Sequence, residues 1–269
     1  MRKPSVLFVS LLGMIANVWA QQVPARAPVA KGTENCANVP SLEKRVESQE
    51  SRLQDWPELA RYREANAQLR TPVDDEQRIV FMGDSITDSW QRPQFGGFFP
   101  GKPYIDRGIS GQTTPQMLLR FRADVIDLQP HAVVILAGTN DIAGNTGPMT
   151  LEETEGYLAS MSELSHAHGI RVVLSSVMPV SDLTTAEGKK IVQTVNRPPE
   201  KILILNEWIK KYAAEHGDVY LDYFAAMADY KGFLKSELTY DGLHPNAIGY
   251  TLMAPLAEKA IAEAVAQKP

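Results

Sequence analysis

Four short blocks of small and polar residues carry the chemistry open to this 269-residue chain: Gly83-Asp84-Ser85-Ile86-Thr87, Gly108-Ile109-Ser110-Gly111-Gln112-Thr113, Gly138-Thr139-Asn140-Asp141 and Asp241-Gly242-Leu243-His244-Pro245. A serine hydroxyl is a weak nucleophile until a neighbouring base takes its proton, so Ser85 needs a partner. Of the five histidines, His166, His168 and His216 precede glycines at expected helix ends, where a cationic side chain is favourable anyway. His131 follows Pro130 at the entry to an expected strand. His244 remains, and Asp241 three residues earlier can hold its ring by Nδ1, fixing the tautomer and stabilising the imidazolium. Gly111, through its backbone N–H, and Asn140, through its side-chain amide, can join the N–H of Ser85 in collecting the negative charge of a tetrahedral intermediate. Each block also has a plainer account. Asp84 or Ser85 can cap a helix, Asp241-Gly242 can make a turn, and Gly111 and Asn140 suit turns and caps. His166-x-His168 lacks a third ligand, so no metal is expected.

The elements that must position these blocks follow from hydrophobic periodicity. Ile79 to Met82, Tyr104-Ile105, Ala132 to Leu136, Ile170 to Leu174 and Val219 to Leu221 are short, β-branched-rich runs that predict five strands. Helical patterns lie between them. One begins at Thr114-Pro115 and turns Met117, Leu118, Phe121 and Val125 inward. A second begins at the capping box Thr150-Leu151-Glu152-Glu153, a third carries Ile202, Leu205, Ile209 and Tyr212, and Ala247 to Ala266 is the last, with a kink expected at Pro255. Alternation of this kind predicts an α/β fold with a parallel sheet covered on both faces. Ligands in such sheets bind beyond the carboxyl ends of the strands, and all four blocks fall there. A long polar loop, roughly Met178 to Pro199, is expected at the same edge.

The amino-terminal third reads differently. Arg2 and Lys3 precede an apolar run from Val6 to Val18, and Val18-Trp19-Ala20 offers small residues where a signal peptidase reads, so 1–20 is expected to be a signal peptide. The run is too short for the roughly 20 residues a spanning helix needs. A leader lacking periodicity is expected over 21–40. A helical extension is expected over 41–70, with Leu42, Val46, Leu53, Trp56, Leu59, Tyr62, Ala65 and Leu69 on its apolar side. Pro57 is expected to divide the extension into two helices that pack on the domain 71–269, with Asp55 capping the second. The net charge is −5 with no basic block, so nucleic acid is not an expected partner. The single cysteine, Cys36, excludes an internal disulfide.

Taken together, the four blocks in this order resemble the SGNH hydrolases, also called GDSL esterases and lipases. Arg197-Pro198-Pro199-Glu200 and the helix from Leu59 to Asn66 resemble a bacterial branch that includes arylesterases, acetylesterases and relatives of platelet-activating-factor acetylhydrolase. The resemblance implies a three-layer α/β/α, flavodoxin-like domain with Ser85 as nucleophile, His244 as base, Asp241 as its acid partner, and Ser85, Gly111 and Asn140 as the oxyanion hole. It implies ester hydrolysis through an acyl-serine without cofactor or metal.

The expected substrate is a small ester or acylated carbohydrate, acetylated above all, hydrolysed in the periplasm or outside the cell with no stable membrane insertion. Two readings compete. A lysophospholipase or thioesterase acting on longer acyl chains would need an exposed apolar patch, which Phe95, Phe98 and Phe99 could supply unless they pack under their loop. A non-catalytic carbohydrate-binding protein could use the same scaffold, but it would have no reason to keep Ser85, His244 and the oxyanion donors intact.

Overall fold

The computed structural model describes residues 39–73 and 76–267, so the expected signal peptide, most of the leader and Cys36 lie outside the described residues. The chain divides into two units, Met1–Arg45 and Val46–Pro269. Of the first, the described part is the opening of helix α1 (Val39–Gln54), on which Leu42 is exposed.

In the second unit five parallel strands form one sheet. They are β1 (Ile79–Gly83), β2 (Tyr104–Gly108), β3 (Ala132–Leu136), β4 (Arg171–Ser175) and β7 (Val219–Leu221), in the order β2-β1-β3-β4-β7. This is the flavodoxin-like order, which reverses direction at the β1/β3 junction and opens a crevice there. Gly83, the last residue of β1, pairs with Gly108 on one side and Leu136 on the other, so the first two blocks start level and the third starts two residues beyond them.

Side chains alternate across the strands and build two cores. Val80, Met82, Val133, Ile135, Val172 and Leu174 face α4 (Thr114–Asp124), α6 (Leu151–Ala167) and α7 (Pro199–His216). Ile79, Phe81, Ala132, Val134 and Val173 face α3 (Ser85–Trp90), α8 (Tyr223–Met227) and α9 (Ala247–Ala266). Burying one such aliphatic side chain is worth about 1.5–3 kcal/mol, which is why a strand covered on both faces reads as an unbroken apolar run. The remaining elements are α2 (Arg63–Gln68), α5 (Thr139–Ile142) and the antiparallel pair β5 (Leu183–Thr184) and β6 (Lys190–Ile191). Thr150 and Glu153 make the expected reciprocal capping box of α6, and α9 runs through Pro255. Gly108 allows β2 to lie against α3, since a Cβ there would stand 2.1 Å from the backbone nitrogen of Asp88.

The extension differs from expectation in two respects. Asp55 does not cap the second helix. Its carboxylate accepts from the backbone N–H groups of Leu59 (2.8 Å) and Ala60 (2.9 Å), closing a turn, and α2 begins only at Arg63. A carboxylate followed by proline satisfies turn donors as readily as helix donors, and the tertiary contacts decide which. Nor does the apolar stripe of the extension pack throughout. Leu53 is exposed, whereas Tyr62 is buried with its hydroxyl donating to the Gly108 carbonyl, and Leu69 packs on the α4 side of the sheet. The aromatics after β1 pack inward. Phe99 is buried, and Phe98 lies 5.0 Å edge-on to Phe81 and 5.9 Å from Trp90, so they form no exposed apolar patch. Among the described residues no helix is long and apolar enough to cross a membrane.

Candidate active site

Ser85 is the first residue of α3, directly after β1. Asp84 serves as the N-cap, its Oδ1 accepting from the Ile86 N–H at 2.9 Å. The capping role falls to Asp84, which leaves the Ser85 hydroxyl free for another partner. That partner is His244: Ser85 Oγ lies 2.9 Å from His244 Nε2. On the other side of the ring, Nδ1 lies 2.7 Å from Asp241 Oδ2. A carboxylate only accepts, so Nδ1 carries the proton and Nε2 faces Ser85 as an acceptor.

The Asp241-to-Pro245 segment is fixed from several directions. Asp241 Oδ1 accepts from the backbone N–H groups of Leu243 and His244, at 3.0 and 2.8 Å. Thr239 Oγ1 donates to the His244 carbonyl at 2.7 Å. Gly242 has φ +81°, and a Cβ there would stand 2.1 Å from the Ser181 carbonyl oxygen, so only glycine lets this turn meet the loop after β4. That loop is anchored at its base. Ser181 N–H donates to the Gly242 carbonyl, Gln193 donates to the Asp241 carbonyl, and only the tip forms the β5–β6 hairpin. Burial acts to raise the Asp241 carboxyl, but the bonds from the His244 side chain and backbone and from the Leu243 N–H outweigh it. Asp241 therefore sits below the ordinary carboxylate range.

Gly111 follows β2, and Asn140 lies in α5, just after β3, where it is buried. Arg197 Nη2 donates to Asn140 Oδ1 at 3.2 Å, and Arg197 Nε donates to Thr139 Oγ1 at 3.1 Å. Because guanidinium only donates, this contact turns the Asn140 NH2 the other way. There it donates to the Gln112 carbonyl at 3.0 Å and, more weakly, to Asp84 Oδ2 at 3.3 Å. The carbonyl of Gly111 is held by Asn145 Nδ2 at 3.2 Å. Burial pushes the Asp84 carboxyl up to about 6, against the Ile86 hydrogen bond and the charges of His244 and Arg197. Burial also raises Asp141, whose Oδ1 holds both the backbone N–H and the hydroxyl of Thr114 at the start of α4.

Thus Ser85, His244 and Asp241 stand in one hydrogen-bonded line, with Asn140 reaching the Asp84 side of it. Sequence reasoning gave no role to Arg197, Gln112, Tyr240 or Arg120. Arg197 orients Asn140 from a loop far along the chain. The carbonyl of Gln112 receives Asn140, and its side chain is gripped by Arg120, which is fully buried and also bonds Asp124 and the Gly83 carbonyl. The Tyr240 ring stacks on His244, with centroids 5.8 Å apart and planes at 10°. The only sequence signal for Arg197 was its place before a double proline. Gln112 stood in the second block without a role of its own, and Arg120 had no signal, since polar residues in a helix and a turn look solvent-facing until the packing is known.

Among the described residues no group of three His, Cys, Asp or Glu side chains is placed to hold a metal ion. The histidines away from the site have local partners: His166 pairs with Asp218 at 2.6 Å, and His216 Nδ1 meets the Tyr212 carbonyl at 2.9 Å. A cavity of about 830 Å³ lies at the opposite edge of the sheet beside Arg122, His131, His168 and Arg171, and none of the four blocks reaches it.

Residues 81–252 match the model of the GDSL-like Lipase/Acylhydrolase family, a span that contains all four blocks. The chain belongs to this family. It is accordingly a carboxylic ester hydrolase. A GDSL-like lipase from Bacteroides thetaiotaomicron is 42% identical in sequence and superposes with a TM-score of 0.70 over 77% of this chain and 98% of that one. An acetylxylan esterase of Geobacillus stearothermophilus is 24% identical over 202 residues, covering 66% of this chain and 90% of the esterase. An uncharacterized lipoprotein of Bacillus subtilis is 35% identical over 79 residues, a match that spans only 32% of the lipoprotein and 28% of this chain. The parallel five-stranded α/β fold with flanking helices is that of the family's solved structures.

Proposed function

We propose that this GDSL-family esterase removes short acyl groups, acetyl above all, from small or carbohydrate esters, through an acyl-serine formed on Ser85. The observation that carries the reading is the continuous contact from Ser85 Oγ to His244 Nε2 (2.9 Å) and from His244 Nδ1 to Asp241 Oδ2 (2.7 Å). Ser85 Oγ attacks the ester carbonyl carbon as its proton passes to His244 Nε2, and Asp241 stabilises the imidazolium. The carbonyl oxygen becomes an oxyanion that collects the N–H groups of Ser85 and Gly111 and the NH2 of Asn140. Asn140 is ready for this by giving up its longer bond, the 3.3 Å one to Asp84. Each such donor is worth roughly 2.7–4 kcal/mol in the transition state. Collapse breaks the C–O bond, and the alcohol leaves with the proton from His244. Water then attacks the acyl carbon, giving a proton to His244 Nε2; collapse breaks the bond to Ser85 Oγ, which takes that proton back, and the acid departs.

Two observations support a short acyl group. Phe95, Phe98 and Phe99 pack inward, and the family relative from Geobacillus stearothermophilus is an acetylxylan esterase. A long chain needs an apolar wall, because each buried methylene contributes about 0.8 kcal/mol. The signal-like start of the chain supports export to the periplasm or beyond. The test is a series of p-nitrophenyl esters from acetate to palmitate. The expected kcat/KM is highest at acetate or propionate, and a maximum at eight carbons or more would overturn the acyl assignment in favour of a lysophospholipase or thioesterase. Labelling of Ser85 by an organophosphate, lost in Ser85→Ala, tests the nucleophile.

A further inference from the structure

A cavity of about 620 Å³ opens beside Gly111, between the loop after β2 and the segment that joins α1 to α2. Its walls include Trp56, Glu58 and Arg61 from the extension and Ser110, Gln116 and Asn145 from the domain. The size falls within the roughly 300–1,000 Å³ of small-molecule sites. It is far larger than an acetyl group requires, since one water takes up only about 30 Å³ and an acetyl group has three heavy atoms. A substrate with its carbonyl oxygen at the Gly111 N–H therefore has room here for its alcohol, not merely for its acyl group.

The wall contributed by the extension is built. Gln112 Nε2 donates to the Pro57 carbonyl at 2.8 Å, and Gln116 Nε2 donates to the Trp56 carbonyl at 2.6 Å. The Asp55 carboxylate closes the turn on Leu59 and Ala60, as described above. Arg61 pairs with Asp88 at 3.6 Å, and Asp88 accepts from Ser110 Oγ at 2.6 Å. Gln112 links this wall to the reaction centre, because the residue that grips Pro57 with its side chain receives the Asn140 amide with its carbonyl. With the backbone tied down, Trp56 remains 41% exposed on the cavity. Glu58 stands at φ +55°, a conformation that costs a side-chain-bearing residue energy, and its carboxylate bonds to no described group.

We propose that this cavity is the alcohol subsite and that it holds a pyranose of an acetylated carbohydrate. Trp56 supplies the apolar face for the ring, while Glu58, Arg61 and Asn145 bond its hydroxyls. One exposed indole among carboxylate, guanidinium, amide and hydroxyl groups suits a pyranose, whose ring carbons are apolar on one face and whose rim is all hydroxyl. An acyl chain or an aryl alcohol would leave most of these polar groups desolvated and unpaired.

This inference rests on the acetylesterase reading, and the experiment separates the two. The full chain and its Trp56→Ala, Trp56→Phe and Glu58→Gln variants are compared on p-nitrophenyl acetate and on a monoacetylated xylotetraose. Binding of unacetylated xylotetraose is followed by titration calorimetry. Trp56→Ala is expected to lower the ratio of kcat/KM values, sugar ester over phenyl ester, at least tenfold through KM, and to abolish binding of free xylotetraose. Trp56→Phe should restore most of both, and Glu58→Gln should lower the ratio severalfold. Equal losses on both esters, or no change in the ratio, would overturn the subsite while leaving the esterase intact. Should Trp56→Ala fail to fold, Glu58→Gln and Trp56→Phe still decide the ratio. A wild-type chain that binds xylotetraose but hydrolyses neither ester would instead overturn the acetylesterase reading.

Discussion

Two histidine–aspartate pairs sit at opposite edges of the same sheet. At the carboxyl edge His244 Nδ1 meets Asp241 at 2.7 Å, and at the amino edge His166 Nε2 meets Asp218 at 2.6 Å. Each has a serine within reach. The order of the three groups differs. Ser85 faces the imidazole of its pair, whereas Ser162 Oγ donates to Asp218 Oδ2 at 2.6 Å and has no base before it. A hydroxyl that gives its proton to a carboxylate acceptor is held, not activated. The backbone differs as well. Ser85 opens a helix, where N–H groups lack intrahelical acceptors, while Ser162 lies in the middle of α6 with its N–H in the ladder.

The electrostatics separate the pairs too. Asp218 is fully buried and is raised by that burial despite bonds from Ser162 and His166. Asp241, more open to solvent and held by three donors, is lowered. The amino-edge trio ties the end of α6 to the residue that precedes β7. The carboxyl-edge trio lies where the strand order reverses, beside the groups proposed as oxyanion donors. Residue types alone would not separate them.

The sharpest way to break this comparison is to remove each serine. Ser85→Ala is expected to lower kcat on p-nitrophenyl acetate by roughly 10⁶ with an unchanged circular dichroism spectrum, leaving the residual catalysis of the oxyanion donors. Near-normal turnover in the folded variant would place the nucleophile elsewhere. The aspartates come next. Asp241→Asn should cost roughly 10⁴ in kcat by releasing His244 from its tautomer, and Asp218→Asn should leave kcat within a factor of two. Comparable losses in both would erase the distinction.

Asn140→Ala should reduce kcat by roughly 10²–10³, and a change confined to KM would make Asn140 a binding residue instead. Ser162→Ala, in contrast, should leave kcat unaltered and lower unfolding stability by about 1–3 kcal/mol, because one oxygen of buried Asp218 loses its donor. Urea denaturation measures this, and no loss of stability would deny the latch.

The smallest effect is the most discriminating, since its sign differs between the pairs. The lowered Asp241 contributes stability that is present above its unfolded pKa of 3.8 and is lost as pH falls below it. The stability deficit of Asp241→Asn should therefore shrink on acidification, and it should be no more than about 1 kcal/mol at neutral pH because the group is partly solvated. The raised Asp218 binds its proton more tightly in the folded state, so its effect on stability becomes less favourable as pH rises above 3.8. Asp218→Asn should compare best with wild type at neutral pH and worst in acid. Melting temperatures at pH 3, 5 and 7 distinguish the two slopes, and slopes of equal sign would show that the aspartates share one environment.

Much of this molecule was legible along the chain. The five strands announce themselves because a strand buried on both faces must be apolar throughout, and the capping box at Thr150 because a helix start needs donors satisfied locally. Three of the four blocks follow strand ends directly, and the fourth comes after β7 and α8. Once the strands are placed, the carboxyl edge is a list of residues, and Ser85, Gly111, Asn140, Asp241 and His244 are on it.

Periodicity does not show contact across distance. Elimination among the histidines and the family resemblance paired Ser85 with His244, 159 positions away, but nothing paired Arg197 with Asn140, 57 positions away. Periodicity sees neighbours three or four residues apart, so Arg197, Gln112 and Arg120 read as ordinary polar side chains until the sheet brings them under the site. Asp55 shows the same limit at short range, since the turn it closes and the helix it was expected to start make equal use of a carboxylate. Sequence alone thus named the groups proposed to attack, accept a proton and collect charge, because those are properties of side chains and their place in a strand or helix. Only the tertiary structure decided which serine meets an imidazole and which a carboxylate, because a difference of one partner in a hydrogen-bonded line is fixed by packing between remote elements.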